Sequence, residues 1–407
     1  KVCFQMFGWV YSLVFWIWEI TLDAFLPVAR AFYHLCIGVP TYLYLRSQFS
    51  KSKQRVVIIG GGFAGTEVAK ILQRFVEVDI IDAKEFFEFT PSVLRAIVQP
   101  QKLNKIQIPH STFLSSCNVH VGTANSVDTN QNQVTYTPES TQIPTTIPYD
   151  FLVLASGATY FPFQNPNVVS STRARDLMQH RRSVVSSKKI VVVGGGYVGV
   201  ELAAEIITKY PKKDVILIHS GTRLLSRSSN RASTYALEFL RKHNVQVYLK
   251  ERILFDSLDK VNDEANVNIE TESGLTIEAD LAFICIGTRP LSTYLDIDQT
   301  NSGFVCVNSH LQSTISQNVF SCGDVTNVQE EKLAQNAQKC AWVVSNNILR
   351  MIHNSSTLKE YKPSPVPIAT SLGRHSAILT IGNFTLCGLL PSLIKEFVEF
   401  KVLSSYQ

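Results

Sequence analysis

The stretch Val56–Asp82, VVIIGGGFAGTEVAKILQRFVEVDIID, decides the fold. It opens with four uncharged β-branched residues, a composition that predicts a buried strand. Gly60, Gly62 and Gly65 follow at once in G-x-G-x-x-G spacing, and a helical pattern comes next. A second apolar run ends on Asp82, about 20 residues beyond the first glycine, as the dinucleotide-binding fingerprint requires. The stretch therefore predicts a strand–loop–helix–strand unit that binds a dinucleotide.

The glycines and the acid have separate chemical roles. One glycine makes a tight turn, one lets the backbone approach a pyrophosphate, and one lets the helix, expected from Phe63 to about Leu72, lie close to the strand. The pyrophosphate then lies on the free N–H groups of the helix N-terminus. Asp82 accepts hydrogen bonds from the adenine ribose hydroxyls. The alternative, a purely structural glycine turn, does not account for the strands, helix and acid together.

A second unit of the same kind follows later in the chain. The β-branched run Ile190–Val193 precedes Gly194, Gly196 and Gly199 in the same spacing, and a helical pattern and another strand follow. Two such units imply two bound dinucleotides. Glu201, just inside the second helix, either faces the nicotinamide ribose or only interacts favourably with the helix dipole.

The second unit differs from the first where its second strand ends. Val215–Ile218 is followed by His219 and Ser220, whereas the first unit has an aspartate in this place. Without an acid there is no charge repulsion against a 2′-phosphate, and Arg223 is close in sequence. The sequence therefore leaves both NADH and NADPH open.

Three further apolar strands end in glycine turns. They are Phe151–Leu154 before Gly157, Leu281–Ile286 before Gly287, and Val319–Cys322 before Gly323 and Asp324. Small residues at a strand end let a ligand approach the backbone, with an ordinary turn as the alternative. An aspartate at such a turn can bind a ribityl hydroxyl. Lys84, shortly after Asp82, is also a cofactor-binding candidate.

Composition excludes several functional classes. The chain has 407 residues, 45% of them hydrophobic, and a net charge of +5, but no basic block with interleaved aromatics that would predict nucleic-acid binding. The eight cysteines form no C-x-x-C pair, so no metal site is expected. Flavin enzymes that reduce disulfides carry a cysteine pair soon after the first dinucleotide motif. Because Lys84–Ser116 has no cysteine, disulfide reduction is not expected. His110, His120 and His180 are interpreted as surface or structural residues.

The first 50 residues differ from the rest of the chain. Val2–Trp18 carries no charge, Ala31–Leu45 is uncharged apart from His34, and a basic flank follows at positions 46–55. Apolar runs near 17 residues with many Trp and Tyr residues are typical of membrane segments. We expect an anchor that spans, re-enters or lies in the interface, with the basic flank on the cytoplasmic or matrix side. The alternatives are a secretory signal and an additional core hairpin.

The C-terminal end contains a second candidate for membrane contact. The apolar segment Leu389–Leu403 has near-helical spacing with Lys395, Glu396 and Glu399 on its other side. Such a segment is either an interfacial helix or a helix that contacts the core or a second copy of the chain.

The motifs together resemble a known family. GGGFAG with Asp82, ASGAT at 155–159, GGGYVGVE at 194–201, CIGTRP at 285–290 and SCGDV at 321–325 look like the two-dinucleotide flavoproteins of the pyridine nucleotide oxidoreductase superfamily. Within it, the chain resembles the ferroptosis-suppressor and apoptosis-inducing-factor-like group, and more distantly the type II NADH:quinone dehydrogenases. The resemblance covers roughly residues 54–395.

The resemblance implies a role for each candidate residue. For FAD, the implied residues are Gly60, Gly62, Gly65 and Asp82 at the ADP half, Gly157 at the lining, and Gly323 and Asp324 at the ribityl-pyrophosphate part. For NAD(P)H, they are Gly194, Gly196, Gly199 and Glu201. Lys362 would lie near the flavin or quinone. Gln335 lies in a partial match to the quinone-side Ala-Gln-x-Ala-x-Gln motif, whose final glutamine is replaced by Lys339.

The predicted fold is α/β, with two Rossmann-like dinucleotide-binding domains, the NAD domain inserted in the FAD domain, a C-terminal α+β segment and an N-terminal apolar membrane anchor. The predicted boundaries are 1–50 for the anchor, 51–160 and 287–340 for the FAD-binding domain, 161–286 for the NAD(P)H-binding domain and 341–407 for the C-terminal segment.

The predicted function is that of a membrane-associated FAD-dependent NAD(P)H:quinone oxidoreductase. A hydride would pass from NAD(P)H to FAD N5, and two electrons would then pass to a ubiquinone-type acceptor. Glu201, Gln335 and Lys362 are the catalytic candidates. The alternatives are a soluble-acceptor reductase of the monodehydroascorbate or ferredoxin-reductase type and an NADH-responsive signalling flavoprotein like apoptosis-inducing factor.

Overall fold

Two parallel β-α-β units form the centre of the computed structural model, which describes residues 52–159, 170–254, 267–295 and 299–407. Each unit begins with a strand of β-branched residues that is buried on both faces, as parallel strands covered by helices are. The anchor predicted for residues 1–50 lies outside the described residues. Gln54–Gln407 form one compact unit.

The first unit lies in a seven-stranded mixed sheet with the order β17-β8-β1-β2-β5-β6-β7. Its strands are β1 (Arg55–Ile59), β2 (Glu77–Asp82), β5 (Asn118–Asp128), β6 (Gln133–Pro138), β7 (Thr145–Pro148), β8 (Phe151–Leu154) and β17 (Val319–Ser321). The strands from β17 to β5 pair in parallel, and β5, β6 and β7 pair antiparallel. Helix α1 (Phe63–Leu72) connects β1 to β2.

A helical excursion separates β2 from β5. It contains the antiparallel pair β3 (Phe86–Glu88) and β4 (Gln107–Pro109), the short helices α2 (Val93–Val98), α3 (Leu103–Ile106) and α4 (His110–Phe113), and 3-10 turns at Thr90–Ser92 and Pro100–Lys102. The proline at the start of each 3-10 turn suits this position because its φ is already near the helical value.

The second unit lies in a parallel four-stranded sheet with the order β12-β11-β10-β15. Its elements are β10 (Lys189–Val193), α6 (Tyr197–Lys209), β11 (Asp214–His219), α7 (Asn230–Lys242), β12 (Gln246–Leu249) and β15 (Leu281–Ile284), preceded by α5 (Ser170–Ser186). Two small antiparallel pairs complete this region, β13 (Val267–Glu270) with β14 (Thr276–Ala279), and β9 (Ala158–Thr159) with β16 (Arg289–Pro290). All four strands of the parallel sheet lie between β8 and β17 in sequence, as an inserted unit requires.

The C-terminal part consists of α8 (Ala334–Ile352), the antiparallel strands β18 (Ile368–Ser371), β19 (Ala377–Ile381) and β20 (Phe384–Gly388), and α9 (Leu389–Ser404). The boundary expected between residues 340 and 341 falls inside α8. Buried residues of α8, such as Ala341 and Val344, share one core cluster with Val68 and Leu72 of α1, so this helix packs as part of the first unit.

No helix among the described residues is long and apolar enough to cross a membrane. Helix α9, where an interfacial or contact helix was expected, buries Ser392 and Leu403 but leaves Leu390 56% and Phe397 42% exposed.

Candidate functional site

The first glycine loop is shaped by contacts that tolerate only hydrogen at Cα. Gly60 has φ 105°, and a Cβ there would collide with the carbonyl oxygen of Ala155 on the neighbouring strand end. A Cβ on Gly65 would collide with the carbonyl of Gly60, so this glycine sets the close contact of helix and loop. Beside Gly62, by contrast, no described protein atom lies within 4 Å of the Cβ position. The space beside Gly62 is therefore open to a ligand and is not filled by protein packing.

Asp82 closes this loop from the end of β2. Its Oδ2 accepts a hydrogen bond from the Gly61 N–H, and its Oδ1 accepts one from the Lys84 N–H at 2.8 Å. The Lys84 ammonium lies 3.8 Å from Oδ1. A carboxylate has about four lone-pair sites, so Asp82 retains acceptor capacity for ribose hydroxyls, as expected for the adenine side of the site.

His110 is a residue of this site that sequence reasoning missed. Its ring is fully buried against the glycine loop, with Nε2 3.9 Å from Asp82 Oδ2. Burial lowers the pKa of His110, although the charge of Asp82 opposes this effect, so the imidazole is neutral at pH 7. No local pattern identified it, because its partner, the loop, is about 50 positions away in the chain.

The second glycine loop repeats the geometry of the first. Gly194 has φ 115°, and a Cβ there would collide with the carbonyl oxygen of Cys285. A Cβ on Gly199 would collide with the carbonyl of Gly194, and Gly196 has no described protein atom within 4 Å of its Cβ position. In each loop, two of the three glycines of the G-x-G-x-x-G motif are thus used for packing and one is open towards a ligand.

His219 takes the place of the aspartate in the second loop. The Gly195 N–H donates to Nδ1 of His219 at 3.1 Å, the bond that corresponds to Gly61 with Asp82. Burial lowers the pKa of His219, with a smaller opposing effect from the backbone of Arg223. Arg223 itself donates from its guanidinium to the carbonyls of Ser226 and Ser228, at 2.5 and 3.0 Å.

The remaining predicted glycines lie at the same sheet edges. Gly157, Gly287 and Gly323 have φ of 75°, 73° and 79°, the left-handed conformation that favours glycine. Gly323 and Asp324 follow β17, and Gly157 follows β8, which pairs with both β17 and β1. The carboxyl ends of adjacent parallel strands therefore gather these loops, the place where α/β sheets bind ligands. The residues at this edge of the first sheet fit the ADP half of FAD.

Glu201 is held by the C-terminal part of the chain. Its Oε1 accepts from Lys395 Nζ and from the Ser371 N–H, both at 2.6 Å. The contact of Glu201 with the nicotinamide ribose stays a prediction. Neither that prediction nor its alternative, a favourable interaction with the helix dipole, included the contact with α9.

A buried ion-pair network extends from this point. Arg95 on α2 lies 3.0 Å from Glu205 on α6 and 3.3 Å from Glu396 on α9. Burial raises the pKa of Glu205 even though Arg95 acts in the opposite direction. The network links the helical excursion of the first unit, the second unit and the C-terminal helix.

The two other catalytic candidates lie at the surface. Gln335 is exposed at the second position of α8, and the side chain of Lys362 is 83% exposed, with Nζ 3.5 Å from Glu360. The adjacent Tyr361 is buried and donates to Glu330 at 2.6 Å, which fixes the backbone next to Lys362. The backbone of Lys362 is thus held next to a buried residue, while its side chain is exposed and paired with Glu360. Their roles towards flavin and quinone stay predictions.

The described residues contain no group of three or more His, Cys, Asp and Glu side chains that could hold a metal ion.

Comparison with known proteins agrees with this geometry. The family model described as pyridine nucleotide-disulphide oxidoreductase matches residues 54–341. Apoptosis-inducing factor homolog B of Dictyostelium discoideum is 31% identical over 87% of this chain and 95% of its own length. Human ferroptosis suppressor protein 1 is 32% identical over 84% of this chain and 92% of its own length. The structure of NDH2 from Plasmodium falciparum in complex with NADH has a TM-score of 0.74 and 16% identity, covering 86% of this chain and 95% of that one.

Proposed function

Because the chain belongs to the pyridine nucleotide-disulphide oxidoreductase family, we propose that it is a membrane-associated NAD(P)H:quinone oxidoreductase. It is an FAD- and NAD(P)H-dependent oxidoreductase, as its family and relatives are. The quinone acceptor and the membrane association are the proposed parts. The observation that carries the proposal is the pair of matching glycine loops within one compact unit.

Each loop has its own dinucleotide in this proposal. The loop of Gly60, Gly62 and Gly65, with Asp82 and Lys84, holds the ADP half of FAD, while Gly157, Gly323 and Asp324 contact the rest of that cofactor. Gly194, Gly196 and Gly199 hold NAD(P)H, and Gly287 lies at the same edge of the second sheet because β15 pairs with β10. The N–H groups at the starts of α1 and α6 stabilise the two pyrophosphates.

When bound, FAD supplies the redox chemistry, since it accepts a hydride from NAD(P)H and gives two electrons to a second substrate. The protein contributes binding, orientation and charge. Asp82 is kept in position by two backbone N–H groups before any ligand arrives, so the adenosine site is preorganised. Glu201, bonded to Lys395, is the candidate for orienting the nicotinamide side.

Gln335 and Lys362 form the quinone side of the proposal. Both side chains are exposed, and the ion pair of Lys362 is with Glu360, which is itself exposed. A cationic side chain can stabilise the negative charge that develops on a quinone oxygen during reduction.

The membrane surface is proposed to include the C-terminal part as well as residues 1–50. Large apolar side chains are exposed on α9 and on the β19–β20 turn: Ile381, Phe384, Leu389, Leu390, Phe397 and Val398. Phe384 is 61% exposed at the tip of its hairpin. A lipid-soluble acceptor favours an enzyme held at the bilayer, and a contact between two copies of the chain is the alternative use of this surface.

The proposal is tested by rapid mixing of the flavin-loaded protein with NADH or NADPH, followed by a short-chain ubiquinone. Bleaching of the flavin band by the nucleotide and rapid recovery with quinone is the expected result. Recovery only with soluble acceptors such as monodehydroascorbate would replace quinone by the soluble-acceptor alternative. A reduced flavin–nucleotide complex that persists with every acceptor would instead favour a signalling flavoprotein.

Membrane association is tested separately by co-flotation with anionic liposomes. Phe384→Asp combined with Phe397→Asp should lower the bound fraction several-fold, because each charge must enter the interface. Ile143→Asp is the matched control, since Ile143 is 68% exposed but precedes β7 in the other sheet. Equal binding of both variants, together with an unchanged oligomeric state, would remove α9 from the proposed membrane surface.

A further inference from the structure

The chain segment that ends the second strand of the second unit and follows it contains no acidic residue. From Val215 to Leu237 the chain contains no Asp or Glu, whereas it contains Arg223, Arg227 and Arg231. In the first unit, the corresponding strand ends on Asp82, and Glu85 and Glu88 follow it. The segments that follow the two strands therefore differ in charge, since the first carries acids, with Lys84 beside Asp82, and the second carries arginines and no acid.

We propose that the second site recognises NADPH in preference to NADH, with Arg223 binding the 2′-phosphate and His219 serving as an uncharged replacement for the ribose-binding acid. This inference rests on the proposed function only in assuming that the second glycine loop binds the nicotinamide dinucleotide.

His219 preserves the architecture of an acidic site without its charge. Its Nδ1 accepts from the Gly195 N–H at 3.1 Å, as Asp82 accepts from the Gly61 N–H. Because Nδ1 uses its lone pair, the ring proton of the neutral imidazole is on Nε2. Nε2 makes no hydrogen bond of normal geometry with the described residues, and it faces Gly221, where a Cβ would come within 2.7 Å. The loop is thus held in its shape, and nothing on His219 repels a phosphate.

Arg223 supplies the positive charge from a fixed position. Two of its N–H groups donate to the carbonyls of Ser226 and Ser228. A guanidinium has five N–H donors, so donors remain for a phosphate. The loop that contains Arg223 is attached to the second glycine loop just after this residue, because Leu225 N donates to the Gly195 carbonyl at 2.8 Å. An arginine near the end of this strand is the usual group that accommodates a 2′-phosphate.

Arg227 provides an internal comparison within the same loop. Its guanidinium lies 3.3 Å from the carboxylate of Glu331, and its side chain is 67% exposed. Its charge is therefore already compensated by an acid, whereas the Arg223 guanidinium donates to two backbone carbonyls and forms no ion pair with a carboxylate of the described residues.

The test measures equilibrium binding of two adenosine fragments, adenosine 2′,5′-bisphosphate and 5′-ADP, to the flavin-loaded protein by calorimetry. Neither fragment contains nicotinamide, so hydride transfer and quinone reduction do not affect the result. The unaltered protein should bind the bisphosphate at least about tenfold more tightly, since the phosphate meets a cation and no acid. Equal or tighter binding of 5′-ADP would overturn the proposal.

Variants then assign the preference to residues. His219→Asp should keep the hydrogen bond from Gly195, as Asp82 does in the first loop, and should reduce bisphosphate affinity about 10- to 100-fold while 5′-ADP binding is retained, because like charges oppose each other. Arg223→Gln should lower bisphosphate affinity about tenfold, and Arg227→Gln should change it less than about twofold. An unchanged affinity ratio in His219→Asp, or an Arg227→Gln effect as large as that of Arg223→Gln, would contradict the assignment. Loss of quinone reduction with the affinity ratio intact would instead refute only the proposed function.

Discussion

The two glycine loops of this chain have nearly the same backbone but end in different chemistry. In each, a glycine with positive φ lies against a carbonyl of the neighbouring strand end, and a middle glycine donates to the last side chain of the second strand. That side chain is a carboxylate in the first loop and a neutral imidazole in the second. One backbone donor can be satisfied by either group, so the backbone fold does not determine the charge that a ligand meets.

The two units also differ in how the C-terminal part holds them. Tyr406 is fully buried and stacks on Phe87 of the first unit, with ring centroids 4.2 Å apart. The second unit contacts α9 through the ion pair of Lys395 with Glu201 at 2.6 Å, and α9 also forms ion pairs with Arg95 and Lys102 of the helical excursion. Apolar stacking and partly buried ion pairs respond differently to mutation and pH, so the comparison can be tested.

The largest expected effect separates the two dinucleotide sites. Gly60→Ala should yield protein with almost no bound flavin, because Ala must adopt φ 105° and collide with Ala155. Gly194→Ala has an equivalent collision with Cys285, but it should retain flavin and bind NAD(P)H at least about tenfold more weakly. Flavin absorbance per protein and nucleotide titration measure the two outcomes. Flavin loss in Gly194→Ala alone would reverse the assignment of the loops.

The next effect concerns the aromatic contact with the first unit. Tyr406→Ala should lower the free energy of unfolding by about 3–5 kcal/mol, as expected for a fully buried aromatic side chain. Tyr406→Phe keeps the stack on Phe87 and loses the contacts of the hydroxyl with Thr66, at 3.5 Å, and with Gln338, so it should cost about 1 kcal/mol. Denaturant unfolding followed by fluorescence distinguishes the two. Equal losses would show that the stack is not the stabilising contact.

A smaller effect is expected at the ion pair of the second unit. Lys395→Ala leaves the Glu201 carboxylate with the Ser371 N–H as its hydrogen-bond donor among the described residues, and it should cost about 1–3 kcal/mol because both side chains are partly buried. Lys401→Ala, an exposed position on the same helix, should change stability by less than about 0.5 kcal/mol. A Lys395→Ala cost above that of Tyr406→Ala would mean that ion pairs, not stacking, dominate the attachment of α9.

The smallest effect is a difference in pH dependence between two buried arginine–glutamate pairs. Burial raises the pKa of Glu205 above 4.5, so the folded state binds the proton more readily and stability falls as pH rises from about 4.5 through the folded pKa. Burial also acts on Glu88, but the hydrogen bonds and charge of Arg173 outweigh it and lower that pKa below 4.5. The stability that ionised Glu88 contributes is therefore present above pH 4.5, and it is lost as the pH falls through the folded-state pKa of Glu88.

The corresponding variants should flatten opposite sides of the stability curve. Glu205→Gln should reduce the decline on the neutral side, and Glu88→Gln should reduce the decline on the acid side, when urea midpoints are measured between pH 4 and 7. The same slope change in both variants would contradict the opposite directions of the two pKa shifts.

Much of the nucleotide-binding framework could be predicted from short-range patterns. The helix expected from Phe63 to about Leu72 has these bounds, and both glycine triplets occupy the loops expected for them. The burial of His110 and the partner of Glu201 could not be predicted. Lys395 is 194 positions from Glu201, and no periodicity links residues that far apart. The domain boundary at 340 was placed inside α8 for the same reason, because packing on α1 is a long-range contact.

By itself, the sequence determined that this chain has two dinucleotide-binding β-α-β units, because strand, glycine spacing and helix are encoded within some 30 neighbouring residues of each unit. It also determined that the second unit lacks the acid of the first. Only the tertiary structure decided that His219 makes the bond of that acid, that the carbonyls of Ser226 and Ser228 hold the Arg223 guanidinium, and that Lys395 and Tyr406 connect the C-terminal part to the two units. These features depend on side chains brought together by packing, and no local spacing in the sequence records such contacts.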